Sequence, residues 1–281
     1  MRLAIGIPNN QEWIASRFFW NLVQDTIPSL PGGVEWRFFR GDGRNTPASR
    51  CYITADALAW GADAVLFLDS DQTFSPPDFI RRMLRTRIEG RLPMVLSGIV
   101  YKPAPPFTPL VWNMHEAICP PNEDFKQHGY LYPMPPVEAV KANVLFRAEA
   151  VSAGCLLVRA KVFGMIPKPW FKETWEDDPA SPSGLRWTEG HDIRFCKLCA
   201  EAEIEVWVDP GIHVAHWRQA GVDYRTAAAY NCLENWDNPR KQIVWRQGAN
   251  GLEAHCEDGV QEMVLWSRAA KRTEGEEDAN S

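Results

Sequence analysis

Two aspartates one residue apart, in Asp69-Ser70-Asp71, close a continuous apolar run, Ala64-Val65-Leu66-Phe67-Leu68. Such a run reads as a central strand covered on both faces. In parallel sheets, ligands bind beyond the carboxyl ends of the strands. Carboxylates placed there are hard oxygen donors at the rim of a cleft. They suit Mg²⁺ or Mn²⁺, and such an ion clamps a diphosphate. The spacing alone leaves a structural role open, with Asp71 capping a helix that begins near Ser75.

The elements that must position this triplet alternate along the first hundred residues. Strands are predicted over Arg2 to Ile7, Val34 to Phe39, Ala64 to Leu68 and Pro93 to Ile99. Between them the apolar spacing predicts helices over Glu12 to Gln24, Pro47 to Trp60 and Ser75 to Arg87, the second with proline in its first turn. Strand, helix, strand in repetition is the signature of a mostly parallel, Rossmann-like α/β sheet flanked by helices. From Tyr101 to Pro136 prolines are dense and imply long loops between short strands. A strand over Val151 to Val158, a helix over Trp187 to Ala202 and a strand from Ile204 that stops at Asp209-Pro210 complete the pattern. The charged stretch Arg268 to Ser281 reads as a frayed tail.

Composition bounds the function. The 281 residues carry 30 basic and 36 acidic side chains, 45% hydrophobic and 23% charged residues, and a net charge of −6. These are values of an ordinary globular chain, which excludes whole-chain disorder, a collagen-like repeat or a coiled coil. The acidic balance argues against a protein that chiefly grips nucleic acid by its phosphates. Thirteen tryptophans suggest that some line a site for a sugar or a base. Seven scattered cysteines, no signal peptide and no apolar run near the roughly 20 residues that span a bilayer predict a cytoplasmic protein with free thiols.

The segment Ala62 to Asp71 resembles the metal-binding segment of nucleotide-sugar-dependent glycosyltransferases of the GT-A fold, family 2-like and of bacterial or phage type. Further matches follow in order. Pro8-Asn9-Asn10 is similar to the family's nucleotide-binding turn, and Ser49-Arg50 to its segment near the nucleotide. Gly98 to Lys102 and Ala153 to Val158 resemble its fourth strand and its glycine-containing strand, and Pro169-Trp170-Phe171 a segment close to the sugar. Gly190-His191-Asp192-Ile193-Arg194-Phe195-Cys196 is similar to the helix start Glu-Asp-x-x-Phe-Cys, with His191 where the family writes Glu. Val208 to His216 resembles the closing strand whose last histidine completes the metal site. The resemblance covers roughly Arg2 to Trp217.

It implies a single GT-A domain over 1–256, with a nucleotide-binding half to about 100, an acceptor half beyond it with a small antiparallel extension, and a C-terminal extension over 257–281. It implies a metal-dependent transfer of a sugar from a nucleoside diphosphate donor, UDP before GDP, to a hydroxyl acceptor. Asp69, Asp71 and His216 would hold Mn²⁺ or Mg²⁺, the mixed oxygen and nitrogen set favouring Mn²⁺. Pro8, Asn9, Asn10, Asp42, Arg50, Asp69 and Ser70 would bind the donor, and Gly154, Trp170 and His191 the sugar or acceptor. Asp192 would take the acceptor's proton, kept ionised at a helix start, with nearby Glu189 able to substitute. His213, three residues before His216, faces the other side of a strand.

Other readings of the same residues stay open. Cys196-x2-Cys199 followed by His213-x2-His216 nearly spells a zinc site, although the cysteines fall within a predicted helix where core packing accounts for them. Arg81 to Arg87 and the cluster Arg37, Arg40, Arg44 and Arg50 admit a nucleic-acid module, or a transferase acting on a hydroxylated base in DNA. A nucleotidyltransferase normally needs a glycine-rich loop followed by Arg and Lys; Ile5-Gly6-Ile7-Pro8 offers one glycine and no nearby lysine.

Overall fold

The run Ala64–Leu68 is a strand buried along its whole length, in the middle of the main sheet. A computed structural model describes residues 1–9, 14–41, 44–102, 109–114, 131–133, 140, 142–177, 179, 183–217, 221–222, 243–248 and 251–256. The strands are β1 (Arg2–Ile7), β2 (Glu35–Arg40), β3 (Ala64–Leu68), β4 (Gln72–Ser75), β5 (Val95–Ile99), β6 (Val111–Met114), β7 (Leu131–Pro133) and β8 (Phe146–Ala148). They continue as β9 (Ala150–Val151), β10 (Cys155–Arg159), β11 (Thr174–Asp177), β12 (Leu185–Glu189), β13 (Val206–Trp217), β14 (Gly221–Val222), β15 (Ile243–Gly248) and β16 (Gly251–Cys256). The α-helices are α1 (Ser16–Trp20), α2 (Thr46–Ala59), α3 (Phe79–Arg85), α4 (Val162–Met165) and α5 (His191–Glu201).

The main sheet has the order β14-β13-β5-β10-β3-β1-β2, with β4 and β8 also paired to β13. β1 runs parallel to β2 and β3, and β13 parallel to β5. β10 is reversed between β3 and β5, and the short strands β4, β8 and β14 run antiparallel to β13. The protein is thus α/β, with a mostly parallel central sheet. Period-2 alternation in β3 sends Val65 and Phe67 into one core and Ala64, Leu66 and Leu68 into the other. Ile53 and Ala57 of α2 and Phe195 and Leu198 of α5 cover the first face. Phe18 of α1 and Phe79, Ile80 and Met83 of α3 cover the second. Each such buried side chain stabilises by about 1.5–3 kcal/mol. The smaller sheets β7-β6-β9, β11-β12 and β15-β16 are antiparallel.

Helix α2 begins where expected. Asn45 caps it, its side chain accepting from Ala48 N at 3.1 Å, and proline sits in the first turn. A Cβ on Gly6 of β1 would stand 2.6 Å from Ile53 Cγ2, so only glycine lets α2 lie this close to the sheet.

Several elements differ from expectation. The helix expected from Trp187 begins at His191, because Leu185–Glu189 pairs as β12 with β11, and the strand expected over Val151 to Val158 is split into β9 and β10. α1 gives way after Trp20 to a π-helical stretch, Asn21–Thr26, in which the Asn21 side chain accepts from Phe74 N at 2.8 Å and donates to Phe74 O at 3.2 Å. The helix expected from Ser75 begins only at Phe79, because Ser75 itself is the last residue of β4, opposite His213 of β13. The strand expected to stop at Asp209-Pro210 continues to Trp217 across a register shift between Val208 and His213. Proline is tolerated at such an irregularity. There Asp209 is held by Arg82 and accepts from Gly211 N at 3.0 Å. No helix among the described residues is long and apolar enough to cross a membrane.

Candidate active site

The turn that ends β3 is tied at three points. Gln72 N donates to Asp69 O at 3.2 Å, Asp69 N to Gly154 O at 3.0 Å ahead of β10, and Trp217 N to Asp71 O at 2.7 Å at the end of β13. The chain thereby brings residues 69–72, 154 and 216–217 to one rim of the sheet, and sends the two aspartates to different neighbours.

Asp71 faces β13. Its Oδ2 lies 3.0 Å from His216 Nε2, while His216 Nδ1 lies 3.1 Å from the Tyr101 carbonyl oxygen. A carbonyl and a carboxylate only accept, so a neutral imidazole, with one N–H, satisfies one of them and turns a lone pair on the other. The arrangement demands a second proton or a metal cation on Nε2. Burial alone would lower the His216 pKa; the Asp71 bond and charge and the Tyr101 carbonyl outweigh it and raise it above its ordinary value. An imidazole that gives one N–H to a backbone carbonyl and aims its other nitrogen beside a carboxylate has the donor set of a metal ligand. Asp71 and His216 therefore fit a divalent cation, whereas Asp69 is turned toward Arg50. Among the described residues no three His, Cys, Asp or Glu side chains already form a metal-holding group.

Asp69 belongs to the second cluster. Arg50, 2% exposed on α2, donates from Nη2 to Asp69 Oδ1 at 2.6 Å, and its Nη1 lies 3.1 Å from each ring nitrogen of His191. Burial first, and then the Arg50 charge, push His191 down to about 3, so the ring is a neutral acceptor at any ordinary pH. Asp192 follows in the first turn of α5, its Oδ1 accepting from Ile193 N at 2.9 Å. Burial raises its pKa against the opposing pull of Arg50, and the Asp69 charge adds to the rise. Burial thus outweighs the expected effect of the helix start and makes Asp192 a stronger base than an exposed carboxylate. Glu189 is ion-paired to Lys197.

Gly154 is the keystone of this cluster. A Cβ there would lie 2.5 Å from Gln72 Nε2 and 2.9 Å from Asp69 Oδ2, so a side chain would displace the carboxylate. Gln72, 1% exposed, has no hydrogen-bond partner for Oε1 among the described residues. Neither Gln72 nor the Tyr101 carbonyl carried a sequence signal, since a glutamine in a short strand and a backbone oxygen belong to no motif.

The remaining expected residues are placed as follows. Pro8 and Asn9 are buried just past β1, and Ser70 is half-buried in the turn. Asn10 and Asp42 lie outside the described residues, as does the extension 257–281. Trp170 is a core residue, 3% exposed, with its indole N–H on the Phe163 carbonyl at 2.9 Å and its ring edge-on to Phe163, rather than an open stacking floor. Cys196 and Cys199 are buried within α5, where burial pushes Cys199 up to about 12 and Cys196 well above the usual range. Both pack in the core with Phe195 and Leu198, and among the described residues they form no metal-holding group with a histidine. In the basic run, Arg82 is bound to Asp209, Arg81 to the Ser29 carbonyl and Arg87 to carbonyls of its own turn, so much of it serves the fold.

No family model matches this chain, and no curated protein sequence is similar to it. Among solved structures, the crystal structure of A197 from STIV is similar with a TM-score of 0.47 and 15% identity, over 78% of this chain and 86% of that one.

Proposed function

We propose that the protein is a metal-dependent glycosyltransferase of the GT-A type, moving a sugar from a nucleoside diphosphate donor to a hydroxyl acceptor. The observation that carries this reading is His216, held between the Tyr101 carbonyl and Asp71 at the carboxyl end of β3. Asp71 and His216 would hold the ion, Mn²⁺ before Mg²⁺ because of the imidazole. When bound, the ion supplies positive charge against the departing diphosphate.

The protein's own residues do the rest. The acceptor oxygen attacks the anomeric carbon, the carbon–oxygen bond to the diphosphate breaks with its electron pair leaving on the diphosphate, and Asp192 takes the acceptor's proton. The raised pKa of Asp192 suits that task, since a stronger base receives the proton more readily. Arg50 binds one oxygen of the Asp69 carboxylate, whose charge still acts on His216. His191, kept neutral, accepts from Arg50 without adding a second positive charge that would lower the basicity of Asp192.

A thermal-shift panel of nucleoside diphosphate sugars with and without Mn²⁺ tests the reading. Ligand that binds only the folded state raises the melting temperature by mass action. One donor stabilising the protein only with Mn²⁺ present is the expected result; no shift with any donor contradicts it.

A further inference from the structure

The class of acceptor is narrowed by a trough that one ring, Phe171, separates from the His191–Asp192 turn. The outer face of α2 and the chain from Lys168 to Trp175 enclose two adjoining cavities of about 430 Å³ and about 410 Å³, which share Cys51, Tyr52 and Pro169. Two large rings line the first or both: Tyr52, 53% exposed, and Trp175, 52% exposed. The Arg44 guanidinium lies 3.9 Å from the Tyr52 ring centroid and holds that ring in place. Phe171 lines the first cavity, and its ring centroid is 6.4 Å from that of His191, the residue preceding Asp192. Phe171 is itself buried, so its ring forms the wall between the trough and the His191–Asp192 turn.

Its polar lining selects among occupants. Asn45, Lys172 and Glu173 supply both donors and acceptors, as the hydroxyls of an uncharged sugar require. A nucleic-acid strand carries a charge at every residue and is met by basic grooves. Here the charges balance rather than being basic: Lys168 and Lys172 line the trough and Arg44 covers Tyr52, against Glu173 in the lining and Glu176 and Asp177 exposed beside Trp175. Aromatic rings fixed in place and rimmed by mixed polar groups match the flat, partly apolar faces of sugar rings.

We propose that this trough binds a neutral oligosaccharide, its rings against Tyr52 and Trp175, and delivers a terminal hydroxyl to Asp192. The delivery rests on the transferase reading; the binding does not. The full chain and the variants Y52A and W175A are titrated calorimetrically with maltohexaose, cellohexaose and chitohexaose, and in parallel with a thymidine octanucleotide. At least one hexasaccharide is expected to saturate the wild type at millimolar concentration, with each substitution weakening it about tenfold, and the octanucleotide is not expected to bind. Because both side chains are more than half exposed, the variants' thermal melts should overlay that of the wild type. Binding of the octanucleotide, absence of saccharide binding, or saccharide binding that survives both substitutions overturns the inference. Mn²⁺ binding, followed on the same samples by electron paramagnetic resonance, keeps the two readings apart. Intact Mn²⁺ binding without saccharide binding sinks the trough alone, and saccharide binding without Mn²⁺ binding sinks the metal site alone.

Discussion

At His216 both ring nitrogens meet oxygen acceptors, the Tyr101 carbonyl and Asp71; at His191 the neighbour is the Arg50 guanidinium. The same side chain is drawn toward positive charge in one place and held neutral in the other. The two aspartates of the turn divide in the same way. Asp71 faces an imidazole that needs a second proton or a cation, and Asp69 faces an arginine that already supplies positive charge. Residue type within a short motif therefore leaves the role undecided; the segment that returns to the rim decides it. β13 arrives beside Asp71, and α2 and α5 arrive beside Asp69.

The largest expected effect breaks the first half of this contrast. Asp71→Asn or His216→Ala should lower Mn²⁺-dependent transfer about a thousandfold, read as initial rates with the donor identified by thermal shift. Rates within a few-fold of the wild type would separate the pair from the chemistry. The second half breaks at Arg50. Arg50→Met leaves Asp69 without its partner and should cost about 3 kcal/mol of unfolding free energy in urea, at the low end for an ion pair because Asp69 keeps some exposure to water. Adding Asp69→Asn to Arg50→Met should recover part of that loss.

Gly154→Ala is expected to cost about 2 kcal/mol by overpacking against Gln72 and Asp69. An unchanged urea midpoint would mean that those side chains move aside freely.

The rim was legible in sequence to an uneven degree. The run Ala64–Leu68 announces a strand covered on both faces, and aspartates directly after it must stand at the sheet's carboxyl edge. The local sequence breaks β13 at Asp209-Pro210, and only the resemblance to a closing strand joined Val208 to His216; in the fold Arg82, bound to the buried Asp209, carries the chain through the irregularity. β4 was hidden by Pro76-Pro77, which reads as a helix start and masks the strand before it. Trp170 read as an open ring because nothing in its local sequence reveals that the Phe163 carbonyl takes its N–H. Tertiary partners of this kind have no period and no motif.

The smallest effect sharpens the contrast through pH. His191 is lowered from 6.5 to about 3 in the folded protein, so between those values the unfolded chain binds more protons. Its contribution to stability is complete above the unfolded pKa and is lost as pH falls through that window. His216 has the opposite sign: its raised folded pKa gives a contribution present below the unfolded value of 6.5 and lost as pH rises through the folded one. Urea midpoints measured from about pH 9 down to about pH 4 should fall less steeply on the acid side in His191→Gln than in the wild type. His216→Gln should instead flatten the profile on the alkaline side. Identical profiles for all three proteins would erase the distinction between the two histidines.

The proposed cation at Nε2 is tested most directly by Mn²⁺ titration monitored by electron paramagnetic resonance, on the wild type and on Asp71→Asn/His216→Ala. The account predicts loss of the free-ion signal at one equivalent for the wild type and none for the double variant. Equal Mn²⁺ uptake by both proteins, or by neither, would contradict it.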